Sequence, residues 1–278
     1  MKYEELREIR KMTRKGYTEA EAAEEKKPAV VEAPVKKVTR EAAEAAELGY
    51  TEHDLSLLPD IVNVLEACAN PVALAGLEEG NTVLIVGCRA GADCLLAADR
   101  VGPRGSVIGV GEAPDEITAA RNAAKTGGYT AIEVRLGEIE NLPAEDASID
   151  VALTNCAVTF SSDKTRTLKE IKRILKSGGR LILAEPAVAE KASREKIGAV
   201  SSSLECLENG LYRADYLSNL KRAGFKKITL LDETPLPVSR LNRDRQAAVK
   251  LTNGELTLHD IEFFADAVMS VIISAVKP

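Results

Sequence analysis

The stretch Thr82–Glu112, TVLIVGCRAGADCLLAADRVGPRGSVIGVGE, decides the fold. It begins with TVLIVG, a short apolar run that is typical of a strand buried on both faces. A glycine-containing turn follows, then a helix predicted from about Gly91 to Val101, then a second apolar run, SVIGV. A strand, a helix and another strand at this spacing predict a parallel βαβ unit.

The same alternation continues along the rest of the chain. The periodicity predicts helices over 114–126, 164–175 and 213–223, and further strands over 131–136, 150–155, 180–186, 226–231 and 268–278. Upstream, residues 1–27 indicate a helix, 28–38 an extended linker and 39–48 another helix, after which Thr51 and Asp54 are expected to form a capping box. The whole predicts a doubly wound α/β domain preceded by a helical extension.

Composition excludes several classes of partner. The chain carries 37 Lys and Arg against 43 Asp and Glu, a net charge of −6, which argues against a general binder of nucleic acids or anionic membranes. The N-terminal residues are charged throughout, unlike a signal peptide, and no apolar run is long enough to span a bilayer. The odd number of cysteines, 5, fits a reducing compartment, so we expect a cytoplasmic protein with free thiols.

The ligand site is expected where the parallel strands end. In an open α/β sheet, ligands bind beyond the carboxyl ends of the strands, at the point where strand order reverses. The first strand ends in Gly87, Cys88, Arg89, Ala90 and Gly91, and the helix starts there. Such a turn directs backbone N–H groups and the helix dipole at negative groups of a ligand, although glycine turns also occur for packing reasons alone.

Several motifs give the sequence a resemblance to a known family. ANPVALA (69–75), GADCLLAA (91–98), GEIENLP (137–143) and TNC (154–156) followed by SSDK (161–164) resemble the arsenite methyltransferases, which depend on S-adenosylmethionine (SAM). The resemblance covers about residues 46–230. It implies a Rossmann-like class I methyltransferase fold with a seven-stranded sheet whose last strand is antiparallel. We predict an N-terminal helical extension and linker over 1–60 and a methyltransferase-like domain over 61–278, with acceptor-side and C-terminal additions at 186–225 and 232–267.

The resemblance implies an acceptor site made of thiols. Cys68, Cys156 and Cys206 match the family's three arsenic-binding cysteines, and three thiolates suit trivalent arsenic because it is a soft, thiophilic centre. The alternative is that each is a small buried apolar residue. Cys94, on the helix after the glycine turn, is expected only to pack.

The cofactor side departs from the family at three positions. Ile85 replaces an acidic residue, Arg89 replaces the middle glycine of the turn, and Gly111 replaces the aspartate that accepts hydrogen bonds from the ribose hydroxyls. Glu112 is a candidate to replace that acceptor, and Asp93 to bind the amino group of SAM. The alternatives are a solvated turn residue for Glu112 and an ordinary helix-dipole carboxylate for Asp93.

Three hypotheses of function remain open. The first is SAM-dependent methyl transfer to a thiolate-bound soft acceptor such as As(III), with the adenine lined by Glu138, Ile139 and Asn155. The second is a non-catalytic protein that has lost SAM and binds an anionic ligand through Arg89. In that case a protein partner, or a second copy of the chain, is also a candidate to bind the N-terminal helices. The third is a thiol-based sensor or carrier of a soft metal or metalloid.

Overall fold

A mixed β-sheet organises the molecule. The computed structural model describes residues 40–59, 67–189, 211–236, 257, 263 and 267–278. The strands are β1 (Thr82–Val86), β2 (Ser106–Gly111), β3 (Ile132–Leu136), β4 (Ile149–Asn155), β5 (Leu175–Val188), β6 (Leu211–Tyr212), β7 (Lys226–Pro235) and β8 (Val268–Val276). Seven of them follow the order β3-β2-β1-β4-β5-β8-β7, and the two-residue β6 pairs with β5 outside that path.

The topology confirms the predicted fold class. β1, β2, β3, β4 and β5 pair in parallel, whereas β8 is antiparallel to both of its neighbours, β5 and β7. The chain runs outward from β1 to β3 and then crosses back to β4 on the other side of β1. Strand order therefore reverses between β1 and β4, and this is where the ligand site is expected.

Helices cover both faces of the sheet. They are α1 (Arg40–Glu47), α2 (Glu52–Ser56), α3 (Pro71–Leu74), α4 (Ala92–Val101), α5 (Pro114–Thr126), α6 (Ala157–Phe160), α7 (Lys164–Ile174) and α8 (Arg213–Arg222). Side chains of β1 alternate between two core clusters, because successive residues of a strand point to opposite faces. Val83 and Ile85 pack on the face that α4 covers, and Leu84 and Val86 on the face that α7 and α8 cover.

Two strands are longer than predicted. β5 starts at Leu175 instead of residue 180, because the buried Leu175 already pairs with Ile149 before an irregularity in the register. β7 continues past residue 231 to Pro235, since its backbone keeps pairing with β8 as far as Met269. Both extensions depend on pairing with a distant strand, which local periodicity does not report.

The helices α1 and α2 pack on the domain. Ala45, Leu48 and Tyr50 are buried in its core, and the compact unit that contains them begins at Thr39. The predicted capping box is present, with the Thr51 hydroxyl accepting from the Asp54 amide and the Asp54 carboxylate accepting from the Thr51 amide. Residues before the predicted boundary at residue 61 therefore share a core cluster with the sheet.

Several sequence predictions fall outside the described residues. They concern the N-terminal helix over 1–27, the linker over 28–38, Cys206, and most of the predicted additions at 186–225 and 232–267. Within the described part of the chain, no helix combines the length and apolar character needed to cross a bilayer.

Candidate active site

A cavity of about 290 Å³ opens at the carboxyl edge of the sheet, where strand order reverses. The ends of β1, β2 and β4 form its floor, and the segments after β3 and β4 form its walls. It is lined by Gly87, Arg89, Gly111, Glu112, Ala113, Glu116, Ile139, Glu140, Asn155, Cys156, Ala157, Phe160, Ser161 and Ser162. Its size is at the lower end of the range of small-molecule sites, which is roughly 300–1,000 Å³.

Some of the predicted cofactor-binding residues line this cavity and others do not. Gly87, Arg89, Glu112, Ile139 and Asn155 line the cavity. Cys88, Gly91, Asp93 and Glu138 lie outside its lining, and the buried Ile85 packs in the core.

The turn after β1 keeps its glycine-like backbone even where glycine is missing. Gly87 and Gly91 have φ of +71° and +94°, and Arg89 has φ of +45°, a left-handed conformation that non-glycine residues seldom adopt. Gly87 also allows close packing, because a Cβ there would lie 2.7 Å from Cβ of Ala157. Its absence of a side chain therefore serves the fold as well as the cavity.

Asp93 has one carboxylate oxygen without a partner. Asn155 Nδ2 donates to Asp93 Oδ2 at 3.2 Å, whereas Asp93 Oδ1 is buried and accepts no hydrogen bond in the described structure. Burial raises the pKa of Asp93 to about 6, against the opposing effects of the Asn155 hydrogen bond and the Arg89 charge. A buried oxygen of this kind is suited to a cationic or hydrogen-bond-donating ligand group.

Glu112 lies at the cavity where Gly111 offers no side chain. Glu112 is exposed, and its Oε1 accepts a hydrogen bond from the Ile139 amide at 3.0 Å. That bond ties the end of β2 to the segment after β3 and leaves the second oxygen of Glu112 for another donor. A Cβ on Gly111 would lie 3.2 Å from Cδ1 of Ile117, so a side chain there requires a small shift of Ile117.

Glu140 is a cavity residue that the sequence reasoning did not single out. Its Oε1 accepts from the hydroxyls of Ser161 and Ser162 and from the Ser162 amide, at 2.7–2.9 Å. Partial burial acts to raise the pKa of Glu140, but these hydrogen bonds outweigh it and lower the pKa to about 2. Glu140 belongs to the GEIENLP motif and Ser161 and Ser162 to SSDK. The contact between the two motifs depends on the fold and is not indicated by either motif alone.

Two of the predicted acceptor cysteines are joined. Cys68 and Cys156 form a disulfide across a sequence separation of 88, with their Cα atoms 6.3 Å apart. The expectation of free thiols is therefore wrong for this pair, because the fold brings the end of β4 against the segment before α3. Cys94 is free and buried, which agrees with the packing role expected for it, and Cys88, predicted to bind the cofactor, is also free and buried.

The disulfide lies between two cavities. Cys156 lines the cavity described above, whereas Cys68 lines a second cavity of about 300 Å³ on its other side. The second cavity is bounded by α1, α3 and β7, and its acidic lining residues are Glu47 and Asp232. Each cysteine of the disulfide therefore borders a different cavity.

Comparison with known proteins gives a consistent result. Residues 77–234 match the family model described as a methyltransferase domain. The chain is 32% identical over 218 residues to an arsenite methyltransferase of Halobacterium salinarum, covering 78% of this chain and 56% of that protein. An arsenite methyltransferase of Aquipseudomonas alcaligenes is 32% identical over 175 residues, 59% of this chain and 49% of that protein. The chain thus spans about half the length of these curated relatives.

A solved structure supports the same relationship. The crystal structure of an arsenic(III) S-adenosylmethionine methyltransferase from Chlamydomonas reinhardtii superposes with a TM-score of 0.60 at 26% sequence identity. The match covers 85% of this chain and 73% of that one.

Proposed function

Because the chain belongs to the methyltransferase-domain family, we propose that it is a SAM-dependent methyltransferase whose acceptor is a thiolate-bound soft centre such as As(III). The observation that carries the proposal is the pairing of Cys156, which lines the strand-end cavity, with Cys68, which is distant in the sequence. Cys206, the third cysteine of the predicted set, is proposed to complete the thiol group.

The charges around the cavity favour a cationic cofactor. Its described lining contains the three carboxylates Glu112, Glu116 and Glu140 against the single guanidinium of Arg89. The low pKa of Glu140 keeps its carboxylate ionised at neutral pH. A sulfonium-bearing ligand is therefore favoured over an anion by the electrostatic field of the cavity.

Glu112 lies in the cavity lining and Asp93 lies outside it, and each is proposed as the partner of one end of SAM. Asp93, through its unpartnered Oδ1, would bind the ammonium group, and Glu112 would accept hydrogen bonds from the ribose hydroxyls. Ile139 and Asn155 line the remaining wall, where the adenosine is proposed to lie. SAM, when bound, supplies an electrophilic methyl group on its sulfonium.

The cysteine pair would hold and orient the acceptor. In the reduced form, two thiolates from Cys68 and Cys156 suit a trivalent, thiophilic centre. Cys68 and Cys156 would hold that centre near the proposed cofactor position, and positioning of two reactants can supply much of the rate acceleration. The second cavity, which Cys68 lines, is proposed as the route by which the acceptor reaches the thiols.

Two titrations test this proposal. Calorimetry of the reduced protein with SAM is expected to give micromolar affinity, and an absence of heat at millimolar SAM would reject the cofactor. Arsenite titration should lose most of its affinity in Cys156→Ser but keep it in Cys94→Ser, whose thiol is buried elsewhere. Equal binding by both variants would reject the thiol site.

The non-catalytic alternative rests on Arg89, which lines the cavity where the family has glycine. An anion at this position would have to approach three carboxylates, so the cavity charge argues against it. Calorimetry with inorganic phosphate, set beside the SAM titration, compares the non-catalytic hypothesis with the methyltransferase hypothesis. Binding of phosphate without binding of SAM would support the alternative.

A further inference from the structure

The turn that carries Cys156 adopts an unfavourable conformation. Cys156 has φ of +65°, a left-handed conformation that costs a non-glycine residue about 1–2 kcal/mol. It lies between the last residues of β4 and the first residue of α6, a helix of a single turn. Surrounding contacts must therefore hold the cysteine in place.

One buried carboxylate supplies these contacts. Glu185, on β5, has no solvent-exposed surface. Its Oε1 accepts from the Thr154 hydroxyl at 2.9 Å and the Val158 amide at 3.0 Å. Its Oε2 accepts from the amide and the hydroxyl of Thr159, at 2.9 and 2.7 Å. These donors lie on both sides of Cys156 in the sequence, so a single side chain fixes the turn from each end.

The carboxylate is itself held in place. β5 pairs with β4 next to the turn, and the Cys156 amide donates to the Ala184 carbonyl at 2.8 Å. The hydroxyls of Thr159 and Tyr216 lie 2.8 Å apart, which links the same group to α8. The turn, the carboxylate and α8 therefore form one connected hydrogen-bond network.

We propose that Glu185 is the positioning residue for the Cys156 thiol, holding its sulfur opposite Cys68. Its importance for methyl transfer rests on the function proposed above, whereas the positioning itself does not. Without the carboxylate, α6 and the turn gain freedom, and the Cys156 thiol spends less time facing Cys68. The effective concentration of one thiol at the other then falls.

The thiol–disulfide equilibrium measures this effective concentration without SAM or arsenite. Oxidised glutathione reacts with the two thiols, its S–S bond breaks, the Cys68–Cys156 bond forms, and two molecules of reduced glutathione carry away the electrons and protons. Alkylation followed by peptide mass mapping at a series of glutathione ratios gives the equilibrium constant for this pair. The measured equilibrium constant therefore tests the role of Glu185 even if the protein does not transfer methyl groups.

The main comparison is between two carboxylate-to-amide variants. Glu185→Gln places an amide where four donors converge, and we expect it to lower the equilibrium constant about tenfold, or about 30 mV for a two-electron couple. Asp150→Asn is the matched control, because Asp150 accepts from the Thr82 amide and from Lys176 away from the turn. It should stay within about twofold of the unmodified protein.

A second variant covers the case in which Glu185→Gln does not fold. Thr159→Val removes the hydroxyl that donates to Glu185 but keeps the size of the side chain and the Thr159 amide. We expect a smaller fall in the equilibrium constant, of about threefold. An unchanged constant in folded Glu185→Gln, or in Thr159→Val when Glu185→Gln does not fold, overturns the assignment. So does an equal fall in Asp150→Asn.

Discussion

The carboxamide of Asn155 donates from Nδ2 to Oδ2 of Asp93 at 3.2 Å. The same group donates to the Ala69 carbonyl at 2.9 Å, and its oxygen accepts from the Cys68 amide at 2.9 Å. Both amide hydrogens are thus used within the protein. One side chain therefore connects the proposed ammonium-binding carboxylate with the backbone at Cys68 and Ala69.

This arrangement predicts that SAM affinity falls in acid. The ionised form of Asp93 is the one that pairs with an ammonium group, and burial raises its pKa to about 6. Below that pH the protein must lose a proton before the pair can form, so the Kd should rise by up to about tenfold per pH unit. Calorimetry from about pH 7.5 to about pH 5 measures this slope. Asp93→Asn should bind weakly with little pH dependence, and a Kd of the unmodified protein that is constant across the range would contradict the role.

The same shift predicts that Asp93→Asn stabilises the fold at neutral pH. The folded-state pKa of about 6 lies above the ordinary 3.8, so the folded protein holds the proton more tightly than the unfolded chain. This contribution to stability is fully present below the ordinary pKa and is lost as the pH rises through about 6. Asparagine carries no charge, so the variant should gain about 1–3 kcal/mol over the unmodified protein at neutral pH.

Urea unfolding of both proteins at neutral pH and near pH 4 tests this. The difference between them should shrink towards zero at the lower pH, where Asp93 is protonated in the folded state. Glu185, whose pKa burial also raises, is present in both proteins and cancels in the comparison. A variant that is less stable at neutral pH would show that the Asn155 contact outweighs the burial of charge.

Local sequence signals were sufficient for the sheet and its main helices. β1 is a continuous apolar run because it is buried on both faces, and α5 occupies the predicted range because Pro114 starts it and glycine follows it. The Thr51–Asp54 capping box depends on residues three apart and was predicted for the same reason. The position of the cavity at the carboxyl edge of the sheet also agrees with the expectation from strand order.

The contacts within the site depend on distant segments. Nothing near Cys68 in the sequence reports that Cys156 will face it, since the pairing needs β4 to lie beside β1. Glu185 appears in the sequence as one acidic residue in an apolar strand, and its partners come from the other side of the cysteine turn. The resemblance to arsenite methyltransferases selected the cysteines, but it did not identify the carboxylate that fixes one of them.

Restoring an acid at the end of β2 is expected to tighten cofactor binding. Gly111→Asp would add an acceptor for the ribose hydroxyls, and one hydrogen bond to a charged group contributes about 1.5–3 kcal/mol, or roughly 10–100-fold in affinity. The new Cβ would lie 3.2 Å from Cδ1 of Ile117, which must move by a few tenths of an ångström. Gly111→Ala measures the effect of that contact alone. Calorimetry should find that Gly111→Asp binds SAM more tightly than Gly111→Ala does. Equal affinities would mean that the ribose does not lie beside residue 111.

Gly87 is expected to be intolerant of a side chain because of Ala157 rather than because of its backbone. Gly87 and Gly128 have nearly equal φ, +71° and +72°, so alanine is strained to the same degree at both. A Cβ on Gly87 would lie 2.7 Å from Cβ of Ala157, whereas a Cβ on Gly128 meets nothing within 4 Å. Urea unfolding should therefore find Gly87→Ala less stable than Gly128→Ala by about 1–3 kcal/mol, the usual effect of overpacking.

A double variant separates the contact from the strain. Ala157→Gly removes the opposing Cβ, so Gly87→Ala combined with Ala157→Gly should be more stable than the sum of the two single changes predicts. The expected coupling is about 1–2 kcal/mol, since the residues are in direct contact. Because Ala157 follows Cys156, Gly87→Ala alone should also weaken the Cys68–Cys156 disulfide. The double variant should restore the strength of that disulfide. Additive stabilities would mean that the turn, and not its contact with α6, requires glycine.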